Sequence, residues 1–308
     1  MGDIIQAHKS AVVSAKKKYI EKGERGFKAV VYIFLAVFTL CMFFPFWLIV
    51  INSFATESSL AQNGFQAIPA SFTLDGYKYM FTSHQVFLSY RNSIIITVVG
   101  TILAVFVTST FAYVLAHPKA KYKGILSFLT YLAMLMGAGL VGFYIMVASW
   151  LNLKDTIWAL ILPYLLNPFF AFILVASYRS IPYEINEAAC IDGANDIYIF
   201  FRIIWPISLP AIATIGLFYS LQYWNDWYMA LLFIDDYKLH PLQMLIRQLI
   251  SNINASSYVR GAATSSITVP TNTIKMVVVC VTIGPIILVY PFIQKYFVKG
   301  ITVGAVKG

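Results

Sequence analysis

Charged residues are scarce in this chain. They make up 11% of its 308 residues, whereas an average soluble domain has about 25%. Hydrophobic residues account for 59%, and they recur in long runs along the whole chain. A single signal peptide does not produce that distribution. The composition therefore excludes an ordinary soluble domain and favours a chain that is embedded in lipid.

Motifs for metal binding, redox chemistry and catalysis are also lacking. The cysteines, Cys41, Cys190 and Cys280, form no CxxC pair and no Cys/His cluster, which argues against a disulfide framework or a zinc site. The sequence has no Walker motif, no HExxH and no serine nucleophile elbow. If the chain transports a solute actively, a partner must supply the energy.

The net charge of +9 has a membrane explanation. Nucleic-acid binding requires a basic patch on a folded soluble surface, whereas here the basic residues flank apolar runs. We therefore expect no nucleic-acid partner. If the N-terminus lies inside the cell, the internal segments receive fifteen Lys and Arg residues and the external segments seven. This asymmetry predicts that both termini are cytoplasmic.

Six uncharged runs are long enough to span a membrane. A helix needs about 20 apolar residues to cross a hydrocarbon core of about 30 Å, and backbone polar groups in lipid must be satisfied within the segment. The predicted fold is all-α, a polytopic membrane protein with six transmembrane helices. The predicted spans are residues 29–51, 92–116, 124–153, 156–178, 203–225 and 276–294 within a membrane domain at 29–297, flanked by an N-terminal arm at 1–28 and a C-terminal tail at 298–308.

The internal segment 179–202, here called the hook, carries the strongest functional pattern. Pro182 suits the first turn of a helix, Glu184 and Glu187 suit its positive end, and Gly193 can adopt the left-handed conformation that stops it. A second helix begins near Asn195 or Asp196, either of which can cap it. This pattern predicts a lever joined to spans four and five, which a soluble partner could move.

The hook resembles the EAA loop of ABC importer permeases. The resemblance rests on Glu187-Ala188-Ala189, Asp192-Gly193-Ala194, Phe200, Pro206 and Pro210 at the family's spacing. Tyr77, Asn92-Ser93, Trp224-Asn225 and the ending 298–308 extend it over most of the chain and are similar to the sugar-uptake branch. Within that branch the chain looks like the smaller permease of maltose-type transporters, in particular permeases for complex or polysaccharide-derived oligosaccharides.

The resemblance implies the type I ABC importer permease fold in a bacterial cell membrane. It implies a second homologous permease as heterodimer partner, two ATPase subunits that bind ATP and Mg, an extracellular or periplasmic solute-binding protein, and an oligosaccharide substrate. The chain itself would bind no cofactor and catalyse no reaction. The implied ATPase-coupling residues are Pro182, Glu184, Glu187, Ala188, Ala189, Asp192, Gly193, Ala194, Pro206 and Pro210, with Lys299, Gly300, Gly304 and Lys307 of the tail lying along the ATPase. The external loop 235–275 resembles one that reaches into the binding protein.

Two further patterns have competing interpretations. The aromatic segment at the outer end of span five suits either a sugar path or an interfacial aromatic belt; its candidate path residues are Tyr223, Trp224, Asn225, Trp227 and Tyr228. Gly137, Gly139 and Gly142 spell a GxGxxG, but they lie in an uncharged run without a preceding strand. Close packing or bending of membrane helices explains them better than a dinucleotide.

Other function classes remain open alternatives. They are a permease of the same class for a non-sugar solute and, with less support, a secondary transporter. A secondary transporter usually shows ionisable residues at the midplane and an internal repeat, and neither is evident. A membrane-embedded enzyme would require polar catalytic groups in the spans, which contain no charge.

Overall fold

A computed structural model describes residues 2–137, 139–260, 272–284 and 287. These residues are mainly helical, and the extended pairing among them is one isolated bridge between Ala55 and Phe72. The helices are α1 Gly2–Asn52, α2 Glu57–Asn63, α3 Asp75–Thr82, α4 His84–Ala116, α5 Lys123–Leu135, α6 Leu140–Ile145, α7 Trp158–Ile161, α8 Pro168–Arg179, α9 Glu184–Ile191, α10 Asp196–Ile199, α11 Trp205–Ile207, α12 Leu209–Asn225, α13 Tyr228–Phe233, α14 Leu242–Arg260 and α15 Asn272–Gly284. Wide π-helical turns at Met146–Trp150 and Phe200–Ile204 follow α6 and α10.

Among the described residues, two helices are long and apolar enough to cross a membrane alone, Gly26–Asn52 and His84–Ala116. Three bent helix pairs pass the same test, which raises the number to five if each pair is one span. The sixth predicted span, 276–294, starts inside α15 and continues outside the described residues. The count of six therefore stays a prediction.

Several predicted boundaries differ from the structure. The predicted N-terminal arm and span one form one continuous helix, α1, of which Gly26–Asn52 is apolar enough to cross a membrane. Helix α4 begins eight residues before the predicted start of span two, so Arg91 lies inside it. The predicted spans three, four and five are each broken, at 136–139, 165–167 and Ser208. Glycine lies at the first break and proline lies beside the other two, and both residues are common at such bends.

The chain divides into two compact units. The first contains residues 1–76 and 272–277. In it, the carboxylate of Glu57 accepts hydrogen bonds from the backbone amides of Asn272 at 3.0 Å and Thr273 at 2.9 Å, at the start of α15. Helix N-terminal amides lack intrahelical partners, so this carboxylate fixes α15 to the segment that follows α1.

The second unit contains residues 77–271 and 278–308, and α4 is its central helix. Helices α8 and α12 pack on α4 around a core that includes Ala104, Leu174 and Tyr219. Gly100 permits the close approach of α12, because a Cβ added there would lie 2.7 Å from the Tyr223 ring. The glycines 137, 139 and 142 have no such neighbours within 4 Å.

The break between α7 and α8 is stabilised by side chains of neighbouring helices. The Thr108 hydroxyl donates to the carbonyl of Leu165 at 3.1 Å, and the Tyr219 hydroxyl accepts from the amide of Asn167 at 2.9 Å. Asn167 then caps α8 through the amide of Phe169. Backbone groups that a broken helix leaves free in an apolar setting need such partners. The bend is therefore stabilised by specific tertiary hydrogen bonds.

Candidate partner-coupling site

The hook forms two short helices joined by a sharp turn, as the sequence predicts. Helix α9 ends in a Schellman motif, in which the amide of Ala194 donates to the carbonyl of Ala189 at 2.9 Å and that of Gly193 to Cys190 at 3.1 Å. Gly193 adopts φ +84°, where L residues are disfavoured. Asn195 is the cap of α10, since its side chain accepts from the amide of Tyr198 at 2.8 Å. Pro182 lies outside α9, two residues before its start, and not in its first turn as predicted.

The predicted coupling residues divide into an outer and an inner set. Glu184, Glu187 and Ala188 are exposed on α9, whereas Ala189 is buried against the second unit's core. Both carboxylates lie in the first turn of α9, where the helix dipole favours negative charge. The exposed residues of the hook also include Pro182, Asp192 and Gly193, while Ala194 is half-buried.

The sequence analysis missed a set of large apolar side chains on the hook. Ile191 is 86% exposed, Ile197 is 69% exposed and Tyr198 is 54% exposed. They flank the Gly193 turn, so they lie close to the two exposed carboxylates along the chain. Ile191 and Ile197 sit within the internal segment and could have been singled out as apolar residues outside any span. An exposed apolar patch on a segment outside the predicted spans is a candidate contact surface.

Pro206 and Pro210 lie on either side of a bend. The helical segments Asp196–Ile207 and Leu209–Asn225 differ in direction by 82°, with Pro206 next to the end of the first segment and Pro210 at the second position of the other. The amide of Ile212 donates to the carbonyl of Ser208 at 3.0 Å, at the start of the second segment. Because proline has no amide donor, the placement of Pro210 in the first turn of α12 loses little hydrogen bonding. The hook is thus connected to α12 through a defined corner.

On the other side of the second unit, the base of the loop after α13 is held by two side chains. Asp155 Oδ1 accepts from the amides of Asp235 at 2.6 Å and Asp236 at 3.0 Å. These bonds to Asp236 and Asp235 hold the pKa of Asp155 below its usual range. The amide of Asn92 donates to the carbonyl of Lys238 at 2.7 Å. The start of the predicted binding-protein loop is therefore rigidly placed.

Asn92→Ala is expected to lower the free energy of unfolding by about 1–3 kcal/mol, because the carbonyl of Lys238 loses its donor in a buried setting. Thermal unfolding of the purified protein measures this. Thr97→Val is a matched control on the same helix, since its hydroxyl is buried without a partner and its loss should cost nothing. Equal destabilisation by both variants would contradict the assigned role of Asn92.

The five candidate path residues do not form one surface. Tyr223 and Trp224 are buried inside this chain, where Tyr223 donates to the carbonyl of Ile161 at 3.0 Å and Trp224 to that of Thr282 at 3.3 Å. Asn225 and Tyr228 are exposed, and Trp227 is half-buried. The Arg247 guanidinium lies 3.5 Å from the centre of the Trp227 ring, a cation–π contact. A sugar path in this region would use Asn225, Trp227 and Tyr228, which are at least partly accessible. The path itself stays a prediction.

The structure does not place every predicted site. Lys299, Gly300, Gly304 and Lys307 of the tail lie outside the described residues, as does the loop segment 261–271. Within the residues that are described, no three His, Cys, Asp or Glu side chains converge as metal ligands would.

Comparison with known proteins identifies the family. The chain is 44% identical over 266 residues to protein LplC of Bacillus subtilis (strain 168), which covers 86% of this chain and 89% of that protein. It is 40% identical over 284 residues to the polygalacturonan/rhamnogalacturonan transport system permease protein YtcP of the same organism, covering 92% and 99%. No family model matches the chain.

A solved structure agrees. The crystal structure of a bacterial ABC transporter involved in the import of the acidic polysaccharide alginate matches with a TM-score of 0.77 and 27% identity, covering 89% of this chain and 98% of that chain. The chain therefore belongs to the permease family of ABC importers. Several relatives are named for the transport of sugars or oligosaccharides, which confirms the carbohydrate-uptake branch to which the sequence resemblance points.

Proposed function

We propose that this chain forms half of the translocation pathway of an ABC importer for an oligosaccharide, and that the hook receives the force of ATP hydrolysis in a partner subunit. The other half is a second, homologous permease. An extracytoplasmic binding protein delivers the sugar. ATP and Mg are bound by two ATPase subunits, and this chain binds no cofactor.

The exposed surface of the hook carries this proposal. Ile191 is 86% exposed. Leaving such a side chain in water forgoes the favourable free energy of burying it, which a partner surface would recover. An apolar patch next to the Glu184 and Glu187 carboxylates fits a protein cleft better than lipid, because carboxylates are expensive to bury in a bilayer. The rigid turn at Gly193 makes the two helices one body, which is what force transmission requires.

The same proposal fixes the arrangement in the membrane. With six crossings and both termini in the cytoplasm of a bacterial cell, the hook lies at the inner face and the loop after α13 at the outer face. The basic residues then follow the positive-inside asymmetry. The clamped base of the outer loop, at Asp155 and Asn92, would hold a surface for the binding protein.

Two steps test this. Purification from the native membrane is expected to bring down a separate ATPase and a second permease. In the reconstituted complex, ATP hydrolysis is then measured against a panel of neutral and acidic oligosaccharides, each presented with the cognate binding protein. We expect stimulation by at least one saccharide. Isolation of the chain as a functional monomer would refute the proposal.

The panel also separates the alternatives. A permease for a non-sugar solute would form the same complex but respond to none of the saccharides. A secondary transporter would move solute without an ATPase, driven by an ion gradient. The spans predicted from the sequence contain no charged residue to couple such a gradient.

A further inference from the structure

The chain connects the hook to α8 and, through α11, to α12. The hook also contacts the end of α4. Its first arm carries Tyr183, just before α9, and its second arm carries Phe200, just after α10. The Tyr183 ring lies edge-on to the ring of His117, with centroids 5.9 Å apart. The Phe200 ring lies 4.9 Å from that of Tyr113.

These four rings form a continuous row. Tyr113 and His117 are one turn apart at the end of α4, and their rings are also in edge contact at 5.9 Å. The row therefore runs from one arm of the hook to the other across α4. Aromatic pairs at 4.5–7 Å with edge-to-face geometry attract each other beyond simple burial.

Two cationic side chains strengthen the same joint. The ammonium of Lys119 lies 5.7 Å from the centre of the Tyr183 ring, and its hydrogen bond with Tyr183 raises the pKa of Lys119. The guanidinium of Arg179 donates to the carbonyl of Leu115 at 3.3 Å. That carbonyl belongs to the last turn of α4, where cations satisfy groups that the helix leaves free. The contact between the hook and the end of α4 is thus held by polar bonds as well as by the rings.

A cavity of about 120 Å³ lies beside the row, and its lining includes Tyr113, His117, Arg179, Tyr183, Asn186 and Ile204. Dense packing transmits force but leaves no room for rotation. A cavity beside the row would allow the hook to change its angle while the rings keep contact with α4.

We propose that the end of α4, through Tyr113 and His117, is the fulcrum on which the hook pivots, so that force entering α9 is transmitted to α4 directly. This inference rests on the proposed function. Chain connectivity alone joins the hook only to the predicted spans four and five. The inference adds α4, the second predicted span, to the set of helices that the hook moves. Tyr113, His117 and Tyr183 act here as positioning residues.

The test compares transport with ATP use in the reconstituted complex. Tyr113→Leu and Tyr183→Leu remove one ring each, and we expect the amount of sugar transported per ATP hydrolysed to fall about tenfold, because the aromatic contacts are lost. Tyr113→Phe keeps the ring and is expected to keep the ratio, whereas Tyr183→Phe keeps the ring but loses the hydroxyl that Lys119 bonds, so its ratio should fall less than that of Tyr183→Leu. The Tyr113 hydroxyl is buried without a partner, so Tyr113→Phe should not lower thermal stability.

His117→Ala serves if a leucine variant does not fold. His117 is half-buried at the end of α4, and His117→Phe is its ring-retaining counterpart. Retention of the wild-type ratio by His117→Ala and by the folded leucine variants would overturn the fulcrum. That result would leave the proposed function standing as long as the wild-type complex couples uptake to ATP. A wild-type complex without ATP-dependent uptake would instead count against the proposed function.

Discussion

Gly193→Val is expected to leave the chain in the membrane but to abolish ATP-driven uptake. Gly193 has φ +84°, and a non-glycine residue in the left-handed region costs roughly 1–2 kcal/mol, with more for a β-branched side chain. A Cβ there would meet no atom within 4 Å, so the cost is confined to the backbone. The Schellman bonds that set the angle between α9 and α10 would be lost.

The controls follow from the same geometry. Asn tolerates the left-handed region better than other L residues, so Gly193→Asn should retain most uptake and Gly193→Ala should fall between the two. Uptake into proteoliposomes and ATP hydrolysis are measured together for all three variants. Normal coupled uptake by Gly193→Val would contradict the hook as the force-bearing element.

Glu187→Lys is expected to weaken retention of the ATPase about tenfold or more, because charge reversal at an interface places like charges opposite each other or leaves a carboxylate's partner unpaired. Glu187 is exposed in the first turn of α9, where Lys also opposes the helix dipole. The change should not unfold the chain, since Glu187 is exposed. Co-purification and the Kd between purified subunits measure the effect.

Glu187→Gln separates charge from shape. It keeps the size of the side chain and should have a smaller effect than Glu187→Lys. Ile191→Ser tests the apolar part of the same surface and should also weaken binding, since it removes an 86% exposed apolar group. If the ATPase stayed bound equally well to all three variants, the partner would not contact this face of α9.

The hook was predictable because its signals are local. Gly193 predicted the helix stop, and Asn195 or Asp196 was the predicted cap of the next helix; the structure has Gly193 at φ +84° and Asn195 as the cap. Helix α4 was also predictable as an apolar run, but its start was not. Arg91 looks like the end of a loop in sequence, yet it lies inside α4 because helix formation there does not depend on apolar residues only.

The breaks in the helices were not predictable from hydropathy. An apolar run from 156 to 178 reads the same whether it is straight or bent, and the bend depends on hydrogen bonds from Thr108 and Tyr219, which are remote in sequence. The burial of Tyr223 and Trp224 was hidden for a similar reason. Their partners are backbone carbonyls of other segments, so their aromatic character suggested an open path where the chain has a core.

The row of rings between the hook and α4 lay beyond the sequence analysis as well. Tyr113 and His117 are one turn apart, but nothing in the spacing shows that Tyr183 and Phe200 meet them from opposite arms. Ile191 could have been noticed as an apolar residue outside any predicted span, but its 86% exposure is visible only in the structure.

The bend between α7 and α8 has a consequence for assembly in the cell. The amide of Asn167 depends on the hydroxyl of Tyr219, which is synthesised 52 residues later. Until the ribosome has produced α12, this corner has an unsatisfied donor in an apolar setting. We therefore expect the corner between α7 and α8 to reach its final shape only after α12 has been synthesised, so that these segments acquire their structure together during biogenesis.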